Sequence, residues 1–488
     1  MTYVKGNTNQ YGAFGEQITS HKTPVVQIAN KYKIDPANLT DLLEIFEATG
    51  GSADNSGNLF RCQSGTSVSG YGVIRSRETL NYAAGQGVEC LFTAAFTTGI
   101  ANSLQFGGMF SLTETLGFGY DGTNFSCLHS YGGEAEVQLI TVTATPSGTE
   151  NATVTLDSDA VVISITNSTV QTNAEELRAG LEGDATVGGK WRFEQIDDKI
   201  YCISRSVGDK TGTMSFSSAT ATATVNEQTA GLAKTDNHTA SGSWNITTSA
   251  FSGFDATKLN VYRVRFGYLG VANITYSIYD PNIGNFVDVH QIEWANANVV
   301  THLGDPNLKV GWTSASLGSS GTNLTVLGAS GAIFLEGDDI KSNDVHAQDN
   351  TKTSIATTAT NLITLKNRIV YGDEFNLGKI FPIRCTVAVE HNKNTIVEIF
   401  KNTTLGGTTN YQFHDEFNSI ASYDTAGTTI SGGELIDAFT VAANGEKEIN
   451  LKDVLVKLLP EDTFTISAKT VSGTSTNMVV TLTWKEEK

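Results

Sequence analysis

Proline, cysteine and charge are all scarce in this 488-residue chain, and each scarcity excludes a class of protein. Seven Pro are too few for a proline-rich stalk or a collagen. The cysteines are Cys62, Cys90, Cys127, Cys202 and Cys385, odd in number, widely spaced and without a C-x-x-C pair. That argues against a disulfide framework and against a zinc site. Charged residues make up 17%, below the ~25% of an average domain. Lys and Arg total 32 against 51 Asp and Glu, a net charge of −19. So acidic a chain repels phosphate backbones, and no nucleic-acid partner is expected. No apolar run approaches the ~18 residues of a membrane helix, so no membrane insertion is expected. Met1-Thr2-Tyr3-Val4-Lys5 lacks an apolar h-region, so no secretory signal is expected either.

Thr, Ser, Asn and Gly fill the gap, and enough apolar residues remain to build a core. Period-two alternation dominates, as in Val261-Tyr262-Arg263-Val264-Arg265-Phe266 and Val479-Val480-Thr481-Leu482-Thr483-Trp484. Such alternation suits a pleated surface buried on one side. Turn residues recur every eight to twelve positions, the rhythm of sandwiches and barrels. Two stretches read as helix: Thr40 to Glu47, with Thr40 as N-cap, and Asn173 to Leu181, where Leu177 and Leu181 share a face.

The expected fold is therefore mainly β, with two β-sandwich (jelly-roll-like) domains, the first carrying an inserted small α+β module. Residues 1–60 are expected as an N-terminal arm with one short helix. Residues 61–134 plus 231–340 form the first sandwich, and 135–230 form the inserted module. A polar linker covers 341–365, and 366–488 form the C-terminal sandwich. No exact internal repeat supports a fibrous shaft.

Motifs that could carry chemistry have plainer readings. Gly117-Phe118-Gly119-Tyr120-Asp121-Gly122 fits G-x-G-x-x-G, yet a strand follows where a dinucleotide site needs a helix. A hairpin turning at Asp121-Gly122 is expected instead. A second hairpin, Trp191 to Ile203, turns at Asp197-Asp198 and makes Cys202 a small core residue. The eight His show no metal spacing, and His290 and Glu293 fall on opposite faces of a strand. No G-x-S-x-G elbow occurs. Asp338-Asp339 and Asp54-Asn55 read as solvated turns rather than calcium loops. No catalytic, cofactor-binding or metal-binding residue is assigned, and no cofactor is expected. The aromatics Tyr120, Phe125, Tyr131, Tyr268, Tyr276, Tyr279 and Phe286 lie in or near sandwich strands, where they serve the core or form a sugar platform.

One stretch runs Arg75-Ser76-Arg77-Glu78-Thr79-Leu80-Asn81-Tyr82-Ala83-Ala84-Gly85-Gln86-Gly87, then Cys90 to Ser103, then Gly117 to Phe125. It resembles a family of virion-associated structural proteins of tailed bacteriophages, especially marine ones, and of large DNA viruses of algae and protists. Asn260-Val261-Tyr262 through Gly270, Trp294 to Asn298, Asn323 to Ala329, Phe14-Gly15-Glu16 and Thr23 to Gln27 fit the same resemblance. The run Val207 to Phe216 is similar to a small domain embedded in several phage structural proteins. The resemblance covers most of 10–340 and, more loosely, 366–488. Cys90-Leu91 and Ser126-Cys127-Leu128 depart from its pattern while remaining compatible with strands. It implies a non-enzymatic virion structural protein on the particle surface, as a head decoration or fibre protein or a tail-associated one, and brings no catalytic residues with it. The protein would be made in the host cytoplasm, anchored to other virion proteins by its N-terminal arm, and self-associated, with a trimer expected. The alternative is an adhesin whose partner is a host surface glycan; a polysaccharide depolymerase is a third reading.

Overall fold

The computed structural model describes residues 22–31, 42–82, 84–247, 250–267, 269–318, 321–337, 344–454, 456–473 and 475–488. The molecule is mainly β and built from antiparallel sheets. It divides into two compact units, one within Met1–Glu134 and Ala233–Ile340, the other comprising Ala135–Leu232 and Lys341–Lys488.

The first unit is a sandwich. One sheet orders Asn285–Ile292, Ile274–Asp280, Asn260–Gly267, Gly87–Phe96, Thr325–Gly328, Leu59–Gln63 and Ser52–Ser56 side by side. Ser330–Glu336 also pairs with Gly87–Phe96, and Lys22–Ala29 pairs with Ser330–Glu336. The other sheet runs through Thr235–Asp236, Asn124–Tyr131, Thr115–Asp121, Ser103–Phe110, Lys309–Ser316, Tyr71–Ser76 and Leu43–Ala48. The alternation read from sequence sets the burial. Tyr262, Val264 and Phe266 are buried, while Val261, Arg263 and Arg265 between them are not. Aromatic rings fill the core, with Tyr262 4.9 Å from Phe118 and 5.4 Å from Phe92 between centroids.

The second unit holds the inserted α+β module and the C-terminal sandwich. In the module, helix Val170–Gly183 begins at Thr169, whose hydroxyl accepts from the Thr172 amide at 3.1 Å. Ala174, Leu177 and Leu181 face inward and are fully buried against the module's strands. The C-terminal sandwich opposes a four-stranded sheet (Asp344–Ile355, Thr476–Glu487, Lys379–Val389, Glu446–Asn450) and a six-stranded one centred on Thr360–Asn367 and Thr463–Thr470. Trp484, Leu482, Val480, Ile466 and Phe464 lie between them. The module packs on this sandwich through Val137, Tyr201, Ile203, Ile369 and Val370. Within that contact the buried Glu194 accepts from the Ile369 amide at 2.6 Å and meets the Lys366 ammonium at 3.0 Å.

Three expectations need correction. The stretch 40–47, expected as a helix, holds strand Leu43–Ala48, paired with Tyr71–Ser76; Thr40 lies outside the described residues. A strand partner decides the matter. The Glu44 carboxylate is held by Arg75 at 2.7 Å and by Lys309, and the Arg75 guanidinium lies 5.1 Å over the Phe46 ring. An eight-residue helix supplies no comparable partners. The arm is the second correction. Lys22–Ala29, Leu43–Ala48 and Ser52–Ser56 are strands of the first sandwich, with Val26 and Ile28 in its core, so that sandwich begins well before residue 61. Residues 1–21 and 32–41 lie outside the described ones. Third, the polar stretch 341–365 is no linker where it is described. Asp344–Ile355 pairs along Thr476–Glu487, with Val345 opposite Lys485 and Thr351 opposite Val479. Its composition is that of an edge strand, where charged side chains discourage further pairing.

Candidate functional site

A cleft of about 290 Å³ opens beside the hairpin that joins Thr115–Asp121 to Asn124–Tyr131. Tyr120, Phe125, Ser241, Trp244, Phe254, Asp255 and Ala256 line it. The hairpin supplies the first two, directly opposite each other across the ladder, with ring centroids 5.4 Å apart. Its loop is Gly122-Thr123, with Asp121 pairing Asn124, one residue further on than the sequence suggests. Gly122 takes φ 58°, a left-handed conformation that glycine adopts without steric cost. No helix follows, so the G-x-G-x-x-G resemblance carries no phosphate site. Gly119 serves close strand contact instead: a Cβ there would lie 1.8 Å from the Gln105 carbonyl oxygen.

Trp244 follows the short 3-10 turn Ser241–Ser243, and its indole N–H donates to the Thr239 carbonyl at 3.2 Å. It is mostly buried, edge-on to Phe118 and Phe125. Phe254 packs on Phe125 at 5.7 Å. The Phe254–Ala256 segment is tied to the sandwich by the Phe96 amide, which donates to the Ala256 carbonyl at 3.0 Å. Asp255 stands exposed at the rim. Its Oδ1 accepts from the Thr257 amide and hydroxyl at 2.8 and 2.7 Å, and these bonds hold its carboxyl below the usual range. Its Oδ2 and the Tyr120 hydroxyl have no hydrogen-bond partner among the described residues. Burial, seconded by the Asp255 charge, pushes the Tyr120 phenol up.

Of the aromatics singled out in the sequence, only Tyr120 and Phe125 among the described residues line this cleft. Tyr276 is fully buried, donating to the Leu128 carbonyl, and Tyr131 stacks on His129. Tyr279 and Phe286 pair with each other, and the Arg263 guanidinium lies 4.3 Å over Phe286. Tyr268 is outside the described residues, as are Asp338 and Asp339. Trp244, Phe254 and Asp255 were missed. A lone tryptophan in a Ser/Gly-rich stretch was the available signal, but period-two scanning passes over it.

A second arrangement has the order of a Ser-His-Asp relay. His238 Nδ1 lies 2.9 Å from Asp121 Oδ2, and its Nε2 lies 3.4 Å from Ser130 Oγ. Ser130 exposes only 1% of its surface, so no acyl carbon can reach its oxygen, and Nε2 also faces Asp236 at 3.7 Å. The imidazole clips the Thr235–Asp236 segment to the sheet edge. Asp54-Asn55, expected as a solvated turn, lies within strand Ser52–Ser56, where Asp54 pairs with Arg61 through two bonds of 2.7 and 2.5 Å. Among the described residues no group of three His, Cys, Asp or Glu is placed to hold a metal ion, and no helix is long and apolar enough to cross a membrane.

No protein-family model and no curated protein matches the chain. Solved structures with a similar fold include arcelin-5, a lectin-like defense protein from Phaseolus vulgaris (8% identity, TM-score 0.23, 64% of this chain and 100% of that one). Lectin II from Ulex europaeus is similar at 7% identity and TM-score 0.24, over 64% of this chain and 100% of its own. The Faustovirus major capsid protein is similar at 7% identity and TM-score 0.09, over 94% of this chain and 92% of its own. At these values the likenesses carry no argument about this chain.

Proposed function

We propose that this protein is a non-enzymatic structural component of a virion surface that projects its β-sandwiches outward. The observation that carries the reading is the resemblance along 10–340. Outside 135–232, its described segments are strands and turns of the first sandwich, while the Val207 to Phe216 run belongs to the other unit. The acidic, Thr- and Gly-rich composition supports it, since such a surface keeps many copies soluble before assembly. Self-association and anchoring to other virion proteins belong to the same proposal. Quantitative mass spectrometry of purified particles tests it. Hundreds of copies per particle identify a capsid-surface protein and a handful a tail or vertex protein; absence from washed particles overturns the reading.

One observation favours a second reading, binding of a host surface glycan. The cleft of the first sandwich joins aromatic rings to a carboxylate oxygen without a hydrogen-bond partner among the described residues. That combination suits a sugar ring, which offers apolar C–H faces and hydroxyl donors together.

A further inference from the structure

We propose that the cleft bounded by Tyr120, Trp244, Phe254 and Asp255 binds a single neutral hexopyranose and discriminates against acidic sugars. The proposal rests on the glycan-binding reading and adds the ligand class. Size comes first: about 290 Å³ is at the small end for ligand sites, room for one ring rather than an extended polymer.

The lining then sets the chemistry. Rings from two separate stretches, the 120–125 hairpin and the 244–254 loop, converge on the same space. Aromatic faces carry partial negative charge and favour the polarised C–H bonds of a pyranose. The Asp255 Oδ2, which has no hydrogen-bond partner among the described residues, can accept from two neighbouring sugar hydroxyls, a charge-assisted contact stronger than a neutral one. The Thr257 amide and hydroxyl fix that carboxylate on its other oxygen, so it is positioned before a ligand arrives.

Charge completes the argument. Asp255 is the only charged residue among the described lining residues, and the whole chain carries −19. Lys258, the base that acts on Asp255, is not part of the lining. A uronate or sialate carboxylate, or a sugar phosphate, would therefore meet the Asp255 carboxylate with no cation among the described lining residues to receive it.

The test is calorimetric titration of the full chain, with tryptophan fluorescence in parallel, against methyl glucopyranoside, methyl mannopyranoside and methyl galactopyranoside. Methyl glucuronide, methyl sialoside and glucose 6-phosphate form the acidic arm. At least one neutral glycoside is expected to bind in the millimolar range, with every acidic probe at least tenfold weaker. Asp255→Asn retains the oxygen that receives Thr257, so the fold is kept. Neutral binding should fall about tenfold in this variant while the gap to acidic sugars narrows. Tyr120→Phe separates the hydroxyl from the ring and should cost less than Tyr120→Ala. Acidic sugars binding as tightly as neutral ones, or neutral binding unchanged in Asp255→Asn, would overturn this inference and leave the glycan reading standing. No response to either arm would bring down both.

Discussion

Glu114, His129 and His302 are buried titratable groups of the first sandwich whose shifts bear on how its stability responds to pH. Burial pushes the Glu114 carboxyl up to about 7, against the pull of the Gly304, Gly132 and Asp305 amides that donate to it. Burial likewise pushes the imidazoles of His129 and His302 down to about 4. Between the ordinary carboxyl value of 4.5 and about 7, folded Glu114 keeps a proton that the unfolded chain has released, so its contribution is lost as pH rises through that window. The imidazoles act in the opposite sense. Below 6.5 the unfolded chain takes up protons that the folded one refuses until about 4, so their contribution is lost as pH falls. Two imidazoles outweigh one carboxyl, and a stability maximum near pH 6.5 is expected for this unit. Glu114→Gln should abolish the loss of stability that this carboxyl brings between about 4.5 and 7, a gain on the order of 3 kcal/mol at pH 8. Scanning calorimetry across pH checks this, and a variant profile parallel to the parent above pH 6 would refute it. The five cysteines offer a second residue-scale expectation. All are buried and free, and burial pushes every thiol up. In the native protein none should react with a thiol reagent within hours, and all five should react after denaturation.

Elements owe their identity to partners as much as to pattern. The Asn173–Leu181 core of helix Val170–Gly183 and the Trp191–Ile196/Lys199–Val207 hairpin were legible, because an apolar face and a turn residue each lie within one local window, while the Thr169 cap and the first helical turn were not read. Asp197 sits at the turn with φ 53°, as its place between two alternating strands suggests. Leu43–Ala48 was not legible, because its helical and strand patterns are both short and the decision rests with Arg75 and Lys309 far along the chain. Asp344–Ile355 was not legible either, since an edge strand with two wetted faces reads as a linker. The strongest element-scale expectation concerns Glu194. Glu194→Ala would strip an acceptor from the buried Ile369 amide and leave Lys366 unpaired, at a cost of about 3–5 kcal/mol. Urea unfolding of the full chain measures it; Glu194→Gln, which keeps an acceptor oxygen, should lose less.

At the scale of the whole molecule, the chain leaves one unit to build part of another and then returns. Residues 135–232 pack with 341–488, so the C-terminal sandwich is incomplete without the module inserted two hundred residues earlier. Produced alone, 341–488 would expose Ile369 and Val370 and should aggregate or melt early. Co-produced with 135–232 it should form a stable one-to-one complex in size-exclusion chromatography, and a stable, monomeric 341–488 on its own would contradict this. The architecture also decides how an N-terminal deletion can test whether an arm anchors the protein to particles. A deletion that runs past residue 21 removes strand Lys22–Ala29 and two core side chains. It should lower the melting temperature by several degrees, whatever the segment does on a particle. The docking role is tested cleanly only by ending the deletion at residue 21. Unchanged incorporation of that shorter chain into particles would reject an anchoring arm.

The sequence by itself determined the class of fold and the grain of its surfaces. Alternation at period two fixes which side chains of a strand turn inward, and Gly, Asn and Asp mark the turns, because both effects act between neighbours along the chain. It also determined the net acidity of the chain. The tertiary structure alone decided which strands share a sheet, that the inserted module belongs with the C-terminal sandwich, and that Tyr120, Trp244 and Asp255 meet around one cleft. Those outcomes depend on contacts between residues tens to hundreds of positions apart, and a local pattern carries no record of its distant partner.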